Sequence, residues 1–270
     1  MNYRHHFHAG NFADLVKHAL WLALLRRATV RAGAITVVDT HAGAGLYDLM
    51  GEAAQRSGEA EQGIVRLMAD AAAPAPFEPL KAAVRLVNPE DGVRYYPGSP
   101  ALTWSALRKR DSWEGCELRP DDRQALASLA ADHFDNARVL QADGYAHLAG
   151  ARPKNRLIAL IDPAFEQPDD YRRILDTLAR SAAETTVVWL PLKDLETLDA
   201  FIEGMETQRS HGFVVEVRLQ PLTDPMKMNG CAVAVLGVDA AALEAEALAI
   251  AEWVASLGPA GTAKLTRLPA

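Results

Sequence analysis

The segment Asp162-Pro163-Ala164-Phe165 follows the apolar run 157–161 and places a carboxylate, a proline carbonyl and an aromatic face within four residues. That set suits an aromatic amine, which is a poor nucleophile because its lone pair is delocalised into the ring. Acceptors on both N–H bonds pull such a nitrogen toward tetrahedral geometry and free the lone pair for in-line attack on an activated methyl. The Asp162 carboxylate and the Pro163 carbonyl would be those acceptors, with Phe165 stacked against the ring. A strand-ending Asp-Pro turn beside a core aromatic is the plainer alternative.

Three further acids stand at the ends of short apolar runs. Ala34-Ile-Thr-Val-Val-Asp39 is followed by Thr40-His-Ala-Gly43-Ala-Gly45, so a strand ending in an acid leads into a glycine-spaced loop. Glycines let the backbone approach a ligand with no side chain in the way. A dinucleotide fingerprint would need a third glycine, with phosphate over the helix that follows. Leu46-Tyr-Asp48 occupies that place, and its acid would repel phosphate. A cationic, phosphate-free nucleotide such as S-adenosylmethionine fits the strand-end acid better. Glu117, in Trp113-Glu-Gly-Cys-Glu-Leu118, is the candidate acceptor for both ribose hydroxyls. Asp143, in Gln141-Ala-Asp-Gly144, would meet the adenine. Ligands of open α/β sheets bind at the carboxyl ends of the strands, which is where these acids recur.

The elements that must position them read as alternating strands and helices. A helix is expected from Asn11 to about residue 31, with Phe12, Leu15, Val16, Ala19, Leu22 and Ala23 on its apolar face. Asp14, Lys17, His18 and Trp21 fall on the other side. Buried strands are expected at 34–39, 113–118, 137–141, 157–162, 186–190, 213–219 and 231–237, with helices at 121–134, 169–183 and 195–208. This alternation predicts an α/β chain built on a parallel sheet covered on both faces. The last two strands are spaced for an antiparallel edge pair, and a helix at 240–257 is expected to close the pattern. No strand is expected from about residue 51 to 104, and residues 51–97 read as a helical insertion in one domain spanning 1–270.

Of the 270 residues, 49% are hydrophobic and 23% charged, which supplies a core and argues against disorder. Two cysteines, Cys116 and Cys231, outside any zinc pattern, suggest reduced thiols in the cytoplasm. No run approaches the ~20 apolar residues of a membrane helix, and the start of the chain has no signal-peptide core. The net charge is −7, yet the first 31 residues hold Arg4, Lys17, Arg26, Arg27 and Arg31 against Asp14 alone. Such a basic end is compatible with a phosphate-contacting face.

Asp162-Pro-Ala-Phe165 also resembles the (D/N/S)PP(Y/F/W) motif of amino-group methyltransferases acting on nucleic-acid bases, where the target base is swung out of its stack. Nearly the whole chain resembles the RlmJ-type 23S ribosomal RNA adenine-N(6) methyltransferases. The words that carry this are Tyr3-Arg-His-x-Phe-His-Ala-Gly-Asn11, Asp14-x-x-Lys-His18, Asp39-Thr-His-Ala-Gly-Ala-Gly45, Tyr95-Tyr-Pro-Gly-Ser-Pro100 and Ala142-Asp-Gly144. The resemblance implies a Rossmann-like methyltransferase fold with an inserted small helical subdomain, and an N-terminal tail (1–10) that covers the cofactor site. It implies S-adenosyl-L-methionine bound by His18, His41, Gly43, Gly45, Ser99, Glu117, Asp143, Gly144 and Asp162. Asp162 would be the catalytic acceptor, helped by Pro163 and Phe165, and Tyr3, Arg4 and Lys17 would meet 23S rRNA. No membrane and no obligate protein partner is implied.

The family's second motif proline is Ala164 here, and its tyrosine is Phe165. The freed loop is expected to cost ~0.4–1 kcal/mol, a few-fold in rate. His5-His6-Phe7-His8 has no settled acid or thiol partner and is a poor metal site. Trp189-Leu-Pro191 borders the base pocket or fills the core, and the turn 223–230 faces the substrate or packs. The other functions open to the chain are a catalytically weak RNA- or cofactor-binding homologue and an NAD(P)-dependent oxidoreductase. The absence of a GxSxG elbow argues against a hydrolase.

Overall fold

A computed structural model describes residues 5–192, 195–208, 211–221, 229–237 and 240–268. After a 3-10 turn at His5–Phe7 come α1 (Phe12–Val30) and β1 (Ile35–Asp39), then β2 (Leu46–Asp48) and α2 (Glu52–Ser57). A π-helical turn, Glu61–Val65, leads into α3 (Arg66–Ala69) and α4 (Glu78–Val87). Next are β3 (Tyr95–Pro97), α5 (Ser99–Ala106), β4 (Ser112–Cys116), α6 (Pro120–His133) and β5 (Ala137–Leu140). They are followed by α7 (Gly144–Gly150), β6 (Arg156–Ile161), α8 (Asp170–Arg180), β7 (Thr185–Leu192) and α9 (Leu195–Thr207). The chain ends with β8 (Gly212–Arg218), β9 (Gly230–Gly237), α10 (Glu244–Ala255) and β10 (Thr262–Leu268).

Eight strands form one sheet in the order β10-β8-β9-β7-β6-β1-β4-β5. The five strands from β7 to β5 are parallel, and β9, β8 and β10 add antiparallel pairings on one side. Both faces are covered. Ile35, Val37, Ile158 and Leu160 join a core with α1, α4, α5 and α10, whereas Val38, Leu157, Ala159 and Ile161 join a second core with α7, α8 and α9. Burial on both faces is why these strands read as unbroken apolar runs.

The structure corrects three expectations. First, β10 was not expected: the chain continues past the closing helix and pairs residue by residue with β8, from Thr262 against Arg218 to Leu268 against Gly212. Second, a strand does lie within 51–104, because β3 pairs with β2 as a two-stranded ribbon. The helical residues between them share the main core through Ile64, Leu67, Phe77, Leu80 and Val84. Third, the basic stretch at the start of the chain, read as compatible with a phosphate-contacting face, puts no such face on α1. Asp14, Lys17, His18 and Trp21 are all buried, since the sheet and α4, α5 and α10 surround this helix. Among the described residues the basic end of the chain therefore forms no single face. Lys17 is internal, Arg27 pairs with Glu246, and Arg31 pairs with Glu184, just before β7 starts and hence at the opposite edge of the sheet.

Parallel register brings the strand-end acids together. Asp39 lies beside Gly115 on one side and Leu160 on the other, and Cys116 beside Leu140. The ladder runs on into the loops, as Thr40 N–H donates to Leu160 O (3.0 Å), Ala42 N–H to Cys116 O (3.0 Å) and Glu117 N–H to Leu140 O (2.9 Å).

Candidate active site

One cavity of about 340 Å³ opens over this edge. Lys17, His18, His41, Gly43, Ser99, Glu117, Asp143, Gly144, Asp162, Pro163 and Phe165 all line it. Gly45 is the exception. Its φ is +82°, and a Cβ there would come within 2.9 Å of Leu126 and Leu129, so it turns the loop and admits α6 instead of facing the cavity. Tyr3, Arg4 and residues 223–228 lie outside the described residues.

The glycine-spaced loop is held from below. Gly43 N–H donates to Glu117 Oε2 at 2.9 Å, and Arg119 N–H to Oε1 at 2.7 Å. Burial nevertheless pushes the Glu117 carboxyl upward. Asp39, expected to face the ligand directly, is fully buried behind the loop. It accepts from Ser99 Oγ at 2.6 Å and from His41 N–H at 3.3 Å, and burial pushes it up to about 7. It orients two lining residues and does not itself line the cavity. His41, with Nδ1 2.8 Å from Thr40 Oγ1, is pushed down by burial to about 4 and is neutral at physiological pH. Burial likewise keeps His18 neutral, 2.6 Å from the Tyr96 hydroxyl.

Asp143 caps α7 by accepting from Ala146 N–H at 3.1 Å, and it pairs with Arg173, whose guanidinium lies 4.3 Å from the Tyr145 ring. Burial works against ionisation of Asp143, but these donors prevail and hold its carboxyl down. At Gly144 a Cβ would fall 1.9 Å from Thr40 O, so only glycine allows α7 to start this close to the first loop.

At the other end of the cavity, Lys17 Nζ lies 2.5 Å from Asp162 Oδ2 and 2.8 Å from Asp14 Oδ1. Asp14 also accepts from Gly10 N–H at 2.9 Å and meets His5 at 3.1 Å. Burial alone would raise Asp14, but Lys17 and then His5 hold it well below the carboxylate range. Burial alone would lower Lys17, but Asp14 and Asp162 raise it, so it stays charged. The Lys17 side chain is 4% exposed, which leaves it little surface for RNA: it braces the Asp162 carboxylate. Phe165 has a φ of +50°, the one positive value at a non-glycine among the described residues. Its ring packs 4.8 Å from Tyr171 and 5.7 Å from Trp189. Cys116 and Cys231 are buried, and burial pushes both thiols up to about 12, which suits packing and not nucleophilic attack.

Asp14, Tyr145 and Arg173 went unassigned in the sequence. The i, i+3 spacing of Asp14 and Lys17 was a usable signal, whereas nothing local marks Arg173, which meets Asp143 across 30 residues.

The strand order, the antiparallel strands on one side and the acid-lined cavity over the glycine loop define a Rossmann-like methyltransferase. Residues 32–267 match the family described as ribosomal RNA large subunit methyltransferase D, RlmJ. The chain belongs to that family, which sets aside the oxidoreductase reading. It is 32% identical to ribosomal RNA large subunit methyltransferase J of Escherichia coli (strain K12) over 98% of this chain and 97% of that one. It is 28% identical to the protein of the same name from Haemophilus influenzae, over 87% of this chain and 86% of the other. A solved protein from Legionella pneumophila has the same architecture, with a TM-score of 0.87, 25% identity, and coverage of 96% of this chain and 98% of that one. Among the described residues no helix is long and apolar enough to cross a membrane.

Proposed function

We propose that this methyltransferase modifies the exocyclic N6 amine of one adenine in 23S rRNA, in the cytoplasm, by direct in-line transfer to a base turned out of its stack. The observation that carries this reading is that Asp162 lines the same cavity as Gly43 and Glu117. S-adenosyl-L-methionine supplies an electrophilic methyl on a sulfonium when bound. The chain's residues fit that group: Glu117 lines the cavity and, fixed by two backbone donors, keeps lone pairs for ribose hydroxyls. Asp143 and Gly144 would hold the adenine end, His41 and Gly43 the ribose side, and His18, Ser99 and Asp162 the amino-acid end.

Lys17 engages Oδ2 of Asp162 and keeps the carboxylate directed along one line. Among the described residues no donor engages Oδ1, which stands ready to accept one N–H of the adenine amine. The Pro163 carbonyl accepts the other, and Phe165 borders the base. The segment 1–10, described from His5 on, acts as a tail over the site, and 51–97, helical up to β3, as an insertion in a single domain. His8 supports this, lying 2.9 Å from Glu59 of the inserted segment, as does Ile64 N–H, which donates to Gly10 O at 2.8 Å. RNA as substrate is drawn from the names of the relatives.

The test is to incubate the purified protein with S-adenosylmethionine and unmethylated 23S rRNA and digest the product for mass spectrometry. One N6-methyladenosine per transcript is expected. Methyl on another atom, or none beside an active relative, overturns the reading.

A further inference from the structure

Tyr47, Tyr145 and Trp189 line the cavity besides Phe165, and their surroundings differ. Tyr145 has the Arg173 guanidinium 4.3 Å from its ring centre and His41 at 4.9 Å. Tyr47 is met by His5 at 4.8 Å and His6 at 5.1 Å. Trp189, near the end of β7, is half-buried, with its covered side packed against both cores. Phe165 is only 8% exposed and also contacts Tyr171. Its ring meets Trp189 at 63°, so the two form a corner and a flat ligand can lie against only one of them. The more open of the two is the indole.

Position agrees with exposure. Lys17 Nζ is 6.0 Å from the centre of the Trp189 ring and 2.5 Å from Asp162 Oδ2, which places the indole next to the carboxylate acceptor. We propose that Trp189 is the base-stacking residue of this site: the target purine lies flat on the indole with its amine edge toward Asp162 and Pro163. This deepens the methyl-transfer reading above and rests on it. Stacking on an aromatic face tolerates any base, so Trp189 supplies affinity and orientation, while the acceptors at Asp162 and Pro163 select for an amine.

Trp189 can report on itself. Trp21 and Trp113 are fully buried, Trp104 is nearly so, and Trp253 donates to Asp70 and packs on Phe77, whereas Trp189 lines the cavity. Titrating adenosine monophosphate into protein saturated with S-adenosylhomocysteine is expected to quench tryptophan fluorescence, and Trp189→Phe is expected to abolish the quench. In RNA methylation, Trp189→Ala is expected to raise KM for RNA by about 5- to 150-fold, as the loss of one stacked base would. Trp189→Phe should lie in between, and cofactor affinity by calorimetry should stay within about twofold in both. An absent quench in the wild type, a quench that survives in Trp189→Phe, or an unchanged KM in a folded Trp189→Ala overturns the assignment. Should Trp189→Ala not fold, the wild-type and Trp189→Phe titrations still decide. A wild type that binds and is quenched by the nucleotide but methylates no RNA upholds Trp189 and defeats the methyl-transfer reading instead.

Discussion

Lys17 and Asp162, 145 residues apart in sequence, are joined by a 2.5 Å ion pair, and Asp14 shares the same ammonium at 2.8 Å. The first helix of the chain thus grips the carboxylate that ends its fourth parallel strand. One cation is balanced between two acids in a buried place, so removing different members has different consequences.

Replacing Asp162 by Ala removes the acceptor and leaves Lys17 paired with Asp14, so the fold should persist. Methyl transfer in a single turnover should fall by ~10³-fold, within the range lost with an essential acceptor or base. Calorimetry should show only a modest change in cofactor affinity. A near-normal rate would remove Asp162 from the mechanism.

Lys17→Met strands two acids, of which Asp14 has a side chain only 3% exposed. Breaking a buried pair in this way costs about 3–5 kcal/mol, measurable by urea unfolding. The double variant Asp14→Asn with Lys17→Met should recover much of that loss. Because Lys17 and His5 hold the Asp14 carboxyl below its unfolded value, its contribution is full above about pH 4 and disappears as pH falls further.

Asp39 works in the opposite sense. Burial raises it to about 7 in the folded chain, against ~3.9 unfolded. Between these values the folded state holds the extra proton, so rising pH removes stability. His41, pushed down to about 4, loses stability as pH falls from ~6.5. Asp39→Asn should therefore gain on the wild type from pH 4 to 7 and hold a constant advantage above that. Unfolding midpoints at pH 5 and pH 8 test the sign, and a gain confined to the lower pH would contradict it.

Gly144→Ala puts a methyl against a backbone carbonyl 1.9 Å away. Shifting α7 from the loop is expected to cost about 1–3 kcal/mol and to weaken cofactor binding at the same time. Thermal unfolding with and without S-adenosylhomocysteine should show a smaller ligand-induced rise than in the wild type.

Ala164→Pro restores the family's second proline. Restricting the loop before Phe165 should raise the transfer rate a few-fold, in line with ~0.4–1 kcal/mol, with cofactor affinity unchanged. A slower variant would show that this chain's loop has settled on a geometry proline cannot adopt.

Much of this was local and so legible in the sequence. Apolar runs flanked by acids, the Gly43–Gly45 loop, the first helix and Asp162-Pro-Ala-Phe165 follow from side-chain type and period, and they mark the sheet and its ligand edge. What local pattern could not convey was which polar groups are taken out of water. Asp14 went unassigned, Lys17 read as an RNA contact, Asp39 as a ligand contact and Gly45 as a cradle, yet neighbours far along the chain bury the first three and turn Gly45 toward α6. The last strand was missed because its seven residues are partly exposed at the sheet edge and gain their order from β8. Sequence spacing determined where chemistry is possible, and packing decided which groups are charged, paired or open, because burial and partner distance set those energies and both are properties of the assembled chain.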